Sequence, residues 1–212
     1  MQKLKDDIRL RIVAVAREEF IAHGARSTSI RTVARRAGIA AGNVYNYFRS
    51  KDELFCEVLR PLLNELNCYI LSHNEERHLC IEVFDALDFQ NEYIGTMKKM
   101  VKLYRPELRL LLFNAEGTSL AGYKERIVKH QMKVGSEYQL KAGKEYLRLM
   151  KARYPHINID ISPFFLHIAS SMWVNIFCEL VEHEDYDESE VNRALEQYAA
   201  YSMAGWRELM KP

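Results

Sequence analysis

Between Thr28 and Leu54 the chain reads TSIRTVARRAGIAAGNVYNYFRSKDEL, 27 residues that leave room for two short helices, a glycine turn and the start of a third helix. No other feature constrains the fold as tightly, because helices this short and this close have to share one core. Thr28 is placed to cap the first helix, whose apolar residues Ile30, Val33, Ala34 and Ala37 recur at helical spacing. Gly38 then supplies the left-handed backbone that closes it, and a second helix begins near Ala40. On that second helix Val44 and Phe48 fall on one face and Asn43, Asn46 and Tyr47 on the other, so one face packs while the other points outward. Ser50 with Glu53 forms an S-x-x-E capping box that starts the next helix. This spacing is what a DNA-reading helix-turn-helix requires.

Three blocks of this stretch resemble the tetracycline-repressor (TetR) family of bacterial transcriptional regulators: Thr28-Ser29-Ile30-Arg31, the turn Ala37-Gly38-Ile39, and Gly42-Asn43-Val44-Tyr45-Asn46-Tyr47-Phe48 running into Ser50-Lys51-Asp52-Glu53-Leu54. The resemblance covers about the first 60 residues. It implies that Thr28, Arg31, Ala41, Gly42, Asn43, Tyr45, Asn46, Tyr47 and Lys51 contact DNA, with Thr28, Tyr45, Tyr47 and Lys51 holding the phosphate backbone. Where the family usually carries serine or threonine, this chain has Ala40, which removes a cap and a hydroxyl contact to phosphate.

Charge distribution points the same way without reference to any family. From Arg9 to Lys51 nine basic residues face two acidic ones, a local balance of +7 in a chain whose net charge is only +1. The remainder therefore carries −6, the asymmetry expected when a nucleic-acid-binding end is joined to a non-binding body. Basic residues solvating exposed helix faces would account for the charge but not for the helix-turn-helix spacing.

The rest of the chain predicts an all-α protein. Ile8, Ile12, Val13, Ala16 and Phe20 mark a first helix that stops before Gly24 and braces the next two. Leu54, Val58, Leu62, Leu66 and Ile70 mark a long fourth helix kinked at Pro61. Further helices are predicted around Ile81, Phe84 and Leu87, from Asn91 to Tyr104 with a stop at Pro106, from Glu107 to Asn114, and from Leu120 to Tyr154, followed by a loop. Ser162-Pro163 and Asp187 with Glu190 open the last two helices. Residues 1–50 thus form the DNA-binding head, with the fourth helix from 51 as connector, and 51–212 a helical body for ligand binding and dimerisation.

Nothing in the chain suggests catalysis, a metal or a cofactor. The seven histidines have no metal-ligand spacing, and there is no nucleophile elbow or phosphate-binding loop. Cys56, Cys68, Cys80 and Cys178 form no C-x-x-C pair and read as small buried residues of a reduced compartment. Wholly apolar runs such as Leu110–Phe113 are far shorter than the roughly 18 residues of a membrane span, and the amino terminus lacks a signal-peptide core. These features predict a cytoplasmic protein with no membrane partner.

Two broad apolar stripes end the chain, and they predict a homodimer joined through Trp173, Phe177, Tyr198, Ala199 and Trp206; a single buried core helix with its cover is the alternative. In the resembled family the last two helices form the dimer interface, and a palindromic operator requires two heads. The resemblance also places an effector pocket among the middle helices. The large side chains available there are Tyr93, Met97, Met100, Tyr104, Phe113, Tyr123, Met132, Tyr138, Met172 and Trp173, suited to an aromatic or lipophilic compound or, equally, to an ordinary core. Two function classes follow. One is a dimeric repressor bound to a palindromic double-stranded operator and released by a small molecule; the other is an all-helical binding or enzymatic module whose helix-turn-helix-like segment serves packing or a protein partner.

Overall fold

The structure, a computed structural model, describes residues 2–73, 87–137 and 161–209, together with 152 and 155. Eight helices and no strand occur among them: α1 Gln2–Ser27, α2 Ile30–Arg36, α3 Ala41–Val44, α4 Lys51–His73, α5 Leu87–Phe113, α6 Tyr123–Glu137, α7 Pro163–Glu182 and α8 Glu188–Leu209. The helix predicted around Ile81 and Phe84, and nearly all of the predicted Leu120–Tyr154 helix beyond Glu137, lie outside the described residues. The chain divides into two compact units. One comprises Met1–Cys68 with Lys102–Tyr123, the other Tyr69–Val101 with Lys124–Pro212. The first unit thus runs well past residue 50, taking in most of α4 and the second half of α5.

In the first unit, the apolar stripe of α1 (Ile12, Ala16, Phe20) is fully buried, as are Val33, Val44, Leu54, Phe55, Leu59 and Leu62. Phe20 meets Phe55 edge to face with ring centroids 5.1 Å apart, the geometry aromatic quadrupoles favour. Gly38 (φ 68°) closes α2. The Ile39 amide donates to Ala34 O at 3.0 Å and the Gly38 amide to Arg35 O at 3.2 Å, the paired bonds of a Schellman end.

Helix ends differ from expectation in detail. The cap of α2 is Ser29, whose Oγ accepts from the Thr32 amide at 3.1 Å. Thr28 is buried instead, its hydroxyl 2.8 Å from Gly24 O and 3.0 Å from Glu19 O. A hydroxyl facing inward satisfies carbonyls left over at a helix end, which a one-residue shift in sequence register does not reveal. At α4, Ser50 Oγ accepts from the Glu53 amide at 3.0 Å, but the Glu53 carboxylate reaches the Arg49 amide at 2.6 Å, one residue short of the usual reciprocal partner. α4 runs through Pro61 as one continuous helix. A break falls at Tyr104 (φ −129°, ψ 19°), two residues before Pro106, because a proline ring inside a helix clashes with the preceding turn.

Four helices meet where α1 ends. Gly24 (φ 74°) turns the chain, and the following Ala25 amide donates to Asn114 O at 3.0 Å, just beyond α5. A Cβ on Gly24 would lie 3.5 Å from Asn114 Cβ, in ordinary contact, so the positive φ is what calls for glycine there. Lys51, first residue of α4, points its ammonium at the carbonyls of Ala25 (2.8 Å), Thr28 (3.1 Å) and Arg26 (3.4 Å). Arg36 on α2 reaches Glu18 and Glu19 on α1, each at 2.6 Å.

In the second unit, Met97, Met100 and Val101 of α5, Ile127 and Val128 of α6, Val174, Phe177, Cys178 and Val181 of α7 and Leu195 of α8 are buried. Burial pushes the Cys178 thiol above its ordinary range, which keeps it protonated and inert. Asp187 Oδ1 accepts from the Glu190 amide at 2.8 Å and caps α8. Lys98 bonds Asn192 and lies 3.5 Å from Glu188, tying α5 to α8.

α7 has 20 residues and a window of mean hydropathy 1.5, long and apolar enough to cross a membrane by length and composition. Its wholly apolar runs stay short, interrupted by His167, Ser170, Ser171, Asn175 and Glu179.

The corner at the end of α1 yields a stability prediction. Lys51→Met removes a cation from three carbonyls at a helix end and should lower the stability of the full chain by about 1–3 kcal/mol in denaturant titration. Unchanged stability with a weaker dependence of DNA binding on salt would return Lys51 to the phosphate contact that the sequence suggested.

Candidate nucleic-acid interface

The reading surface is assembled by a short helix. α3 spans only Ala41–Val44, and one further turn carries the chain to Phe48 through bonds from the Asn46 amide to Asn43 O (3.2 Å) and the Tyr47 amide to Val44 O (3.0 Å). Val44 and Phe48 are buried and anchor this turn. Asn43, Tyr45 and Asn46 are exposed, Tyr45 by 55%, and Tyr47 is half-buried. The Asn46 amide nitrogen sits 3.5 Å from Asn43 Oδ1, so the two polar groups stand together on the outer face. Ala40 occupies the cap position in extended conformation with no side-chain bond, the consequence expected of an alanine there.

The remaining residues expected to touch DNA divide into two groups. Arg31 and Gly42 are exposed and Ala41 half-buried, all available at the surface. The side chains of Thr28 and Lys51 are turned to backbone carbonyls of the same unit, so neither the Thr28 hydroxyl nor the Lys51 ammonium faces outward as the sequence suggested. The physical reason is local: α1 ends against both residues, and its last carbonyls have no helical partners.

The same sorting applies to the basic residues of the first unit. Arg9 pairs with Glu57 at 2.7 Å and lies over the Phe48 ring, Arg17 pairs with Glu107 at 2.5 Å, and Arg36 with Glu18 and Glu19. Among the described residues Arg11, Arg26, Arg31, Arg35 and Arg49 are exposed and form no ion pair. Arg31 and Arg35 stand four apart on one face of α2, a spacing visible in the sequence but not used in predicting the site. Beside the reading helix lies a groove of about 450 Å³ lined by Lys5, Ile8, Ile39, Asn43, Asn46 and Tyr47. That α1 forms one wall of it was not legible in the helix-turn-helix motif.

The residues predicted to line an effector pocket are shared between the two compact units. Tyr104, Phe113 and Tyr123 belong to the first unit and Met97, Met100, Met132, Met172 and Trp173 to the second. Tyr138 and the side chain of Tyr93 lie outside the described residues. Met97 and Met100 are buried, whereas Met172 is 39% exposed. Tyr104 lines a separate groove of about 300 Å³ with Leu10, Val13, Val58 and Pro61.

The predicted dimer residues also sort by face. Phe177 is buried within its own unit, Trp173 stacks on Tyr69 with centroids 6.2 Å apart, and Trp206 meets Phe165 edge to face at 5.5 Å. Tyr198 and Ala199 are half-buried, and burial raises the Tyr198 phenol above its ordinary range. The outward apolar residues are others: Phe164, Ile168 and Met172 on one line of α7, Tyr201 and Leu209 on α8.

Comparison with known proteins agrees with this geometry. The family model for bacterial regulatory proteins of the tetR family matches residues 12–58. The HTH-type transcriptional repressor KstR2 of Rhodococcus jostii is 28% identical over 120 residues, 55% of this chain and 58% of that protein. The chain thus spans less than two thirds of the length of the curated relatives it first matches. Among solved structures, NalD of Pseudomonas aeruginosa, the secondary repressor of the MexAB-OprM multidrug efflux pump, is similar with a TM-score of 0.58 at 18% identity, covering 99% of this chain and 98% of that one. The ketosteroid transcriptional regulator KstR2 of Mycobacterium tuberculosis is similar with a TM-score of 0.54 at 15% identity, covering 96% of this chain and 95% of that one. At those identities the structures speak for the fold, and the matched segment speaks for the head: residues 12–58 carry a domain of the kind found in bacterial regulatory proteins of the tetR family.

Proposed function

We propose that the chain is a dimeric transcriptional repressor that binds a palindromic operator through α2 and α3, is released from it by a small lipophilic effector, and acts in the bacterial cytoplasm. The observation that carries this reading is one surface of the first unit. It presents Asn43, Tyr45 and Asn46 on an outward turn, with Arg31, Arg35 and Arg49 exposed and without ion pairs among the described residues. A Cβ on Gly42 would meet nothing within 4 Å, so the fold itself does not require glycine there, and the bare backbone leaves space for a partner to approach. The neighbouring cations fit phosphates, which position the head without choosing sequence, while the two asparagines carry the choice.

Asparagine pairs bidentately with adenine N6 and N7, and the methyls of Ala40 and Ala41 suit thymine. Half-sites selected from a random duplex library should therefore be A·T-rich at their centres, with binding that weakens steeply as salt rises. Asn43→Ala and Asn46→Ala should each lose about 1–3 kcal/mol of discrimination. G·C-rich cores, or variants that select the same sites as the wild type, refute the assignment.

Dimerisation is supported by the apolar line Phe164, Ile168 and Met172, exposed on α7 while the opposite side of the helix is buried. Met172→Glu places a charge on that line without touching the buried side, and should shift the protein toward monomer in sedimentation with operator affinity lost. A wild-type protein already monomeric at micromolar concentration removes this part of the reading.

An effector of lipophilic character is supported by the buried methionines Met97 and Met100 in the second unit, because thioether side chains adapt to irregular apolar shapes. The related solved regulator named for ketosteroids adds to it. Titrating operator complexes with steroids and, separately, with polar sugars should dissociate the complex only in the first case; release by the sugars alone would reverse the effector class.

A further inference from the structure

The groove of about 450 Å³ beside the reading turn has one wall made by α1, outside the matched residues 12–58. Its residues there are Lys5 and Ile8. At about 100° per residue, Lys5 falls on the same line of α1 as Ile12 and Ala16, both fully buried. The packing stripe of α1 therefore continues outward past the core, and two turns beyond Ile12 it carries a lysine where an apolar residue would otherwise follow. Lys5 is exposed and makes no ion pair among the described residues. The acidic neighbours Asp6 and Asp7 are rotated about 100° and 200° away, and neither lines the groove. A cation is thus directed along the edge of the surface that bears Asn43 and Asn46, with the carboxylates turned from it.

We propose that Lys5 is a further DNA contact, holding a backbone phosphate that flanks the bases faced by Asn43 and Asn46, so that the DNA-binding surface extends onto the first turns of α1. The inference rests on the reading of α2 and α3 as the operator-binding corner. Phosphate is the partner that fits. The lysine ammonium is a compact charge on a flexible stem, without the planar fork that reads guanine bidentately. The interaction is one of position and affinity, and sequence choice stays with the asparagines.

The test compares the full-length wild type with Lys5→Ala and Lys5→Arg on the selected operator and on a random duplex, from 50 to 200 mM salt. Lys5 is exposed and outside the core, so all three proteins should melt alike. Each phosphate contact contributes about 0.9 to the slope of log affinity against log salt. Over that fourfold range the wild type should lose about 3–4-fold more affinity per head than Lys5→Ala, equally on both duplexes, and Lys5→Arg should behave as the wild type. An unchanged slope in Lys5→Ala, or a changed base preference at the half-site, overturns the proposal while leaving the operator-binding reading intact. A wild type that binds no duplex at low salt overturns both.

Discussion

The carbonyls at the end of α1 have to find donors, and the way they find them sets the geometry of the whole first unit. A helix leaves its last four carbonyls without intrahelical partners, and burying them unsatisfied costs more than most single contacts return. Here two donors reach them, the Thr28 hydroxyl and the Lys51 ammonium, while the Ala25 amide in turn donates to Asn114 O. Each donor or acceptor belongs to a different segment, so satisfying α1 draws the start of α2, the start of α4 and the end of α5 to one point. The reading turn hangs from that corner by Val44 and Phe48. The position of the turn that bears Asn43 and Asn46 therefore depends on contacts made elsewhere in the unit.

Once the corner is formed, the basic residues of the first unit separate by function. A local balance of +7 is a crude measure of a nucleic-acid surface, because several of those charges lie against carboxylates or carbonyls of the same unit. Exposed pairs of that kind add little stability, but they remove the cation from the pool available to phosphate. What remains exposed and without an ion pair, Arg11, Arg26, Arg31, Arg35 and Arg49, is a smaller set. Salt dependence should therefore report fewer contacts than the sequence charge suggests.

The second unit shows the same division between what a helix carries and which side of it is used. α7 is apolar enough to cross a membrane by composition, yet it buries Val174, Phe177, Cys178 and Val181 on one side and exposes Phe164, Ile168 and Met172 on another. A helix apolar all round is either a core helix or one with a second partner. The exposed line is the surface on which the proposed contact with a second copy of the chain rests.

Short-range features were legible in the sequence because they depend on residues one to four apart. The glycine closing α2, the Ser50 and Asp187 caps, the alanine that fails to cap α3, and the split between Val44 with Phe48 and Asn43 with Asn46 all follow from local backbone geometry and helical period. Tertiary structure decided the rest. Whether Thr28 caps a helix or serves another helix's carbonyls, whether Lys51 faces phosphate or Ala25 O, and which of Trp173, Phe177 and Met172 is inside depend on what packs across from them. Periodicity tells how wide an apolar stripe is, but not which neighbour covers it. A polar side chain within reach of both solvent and an unpaired carbonyl takes the partner that only the folded chain brings near.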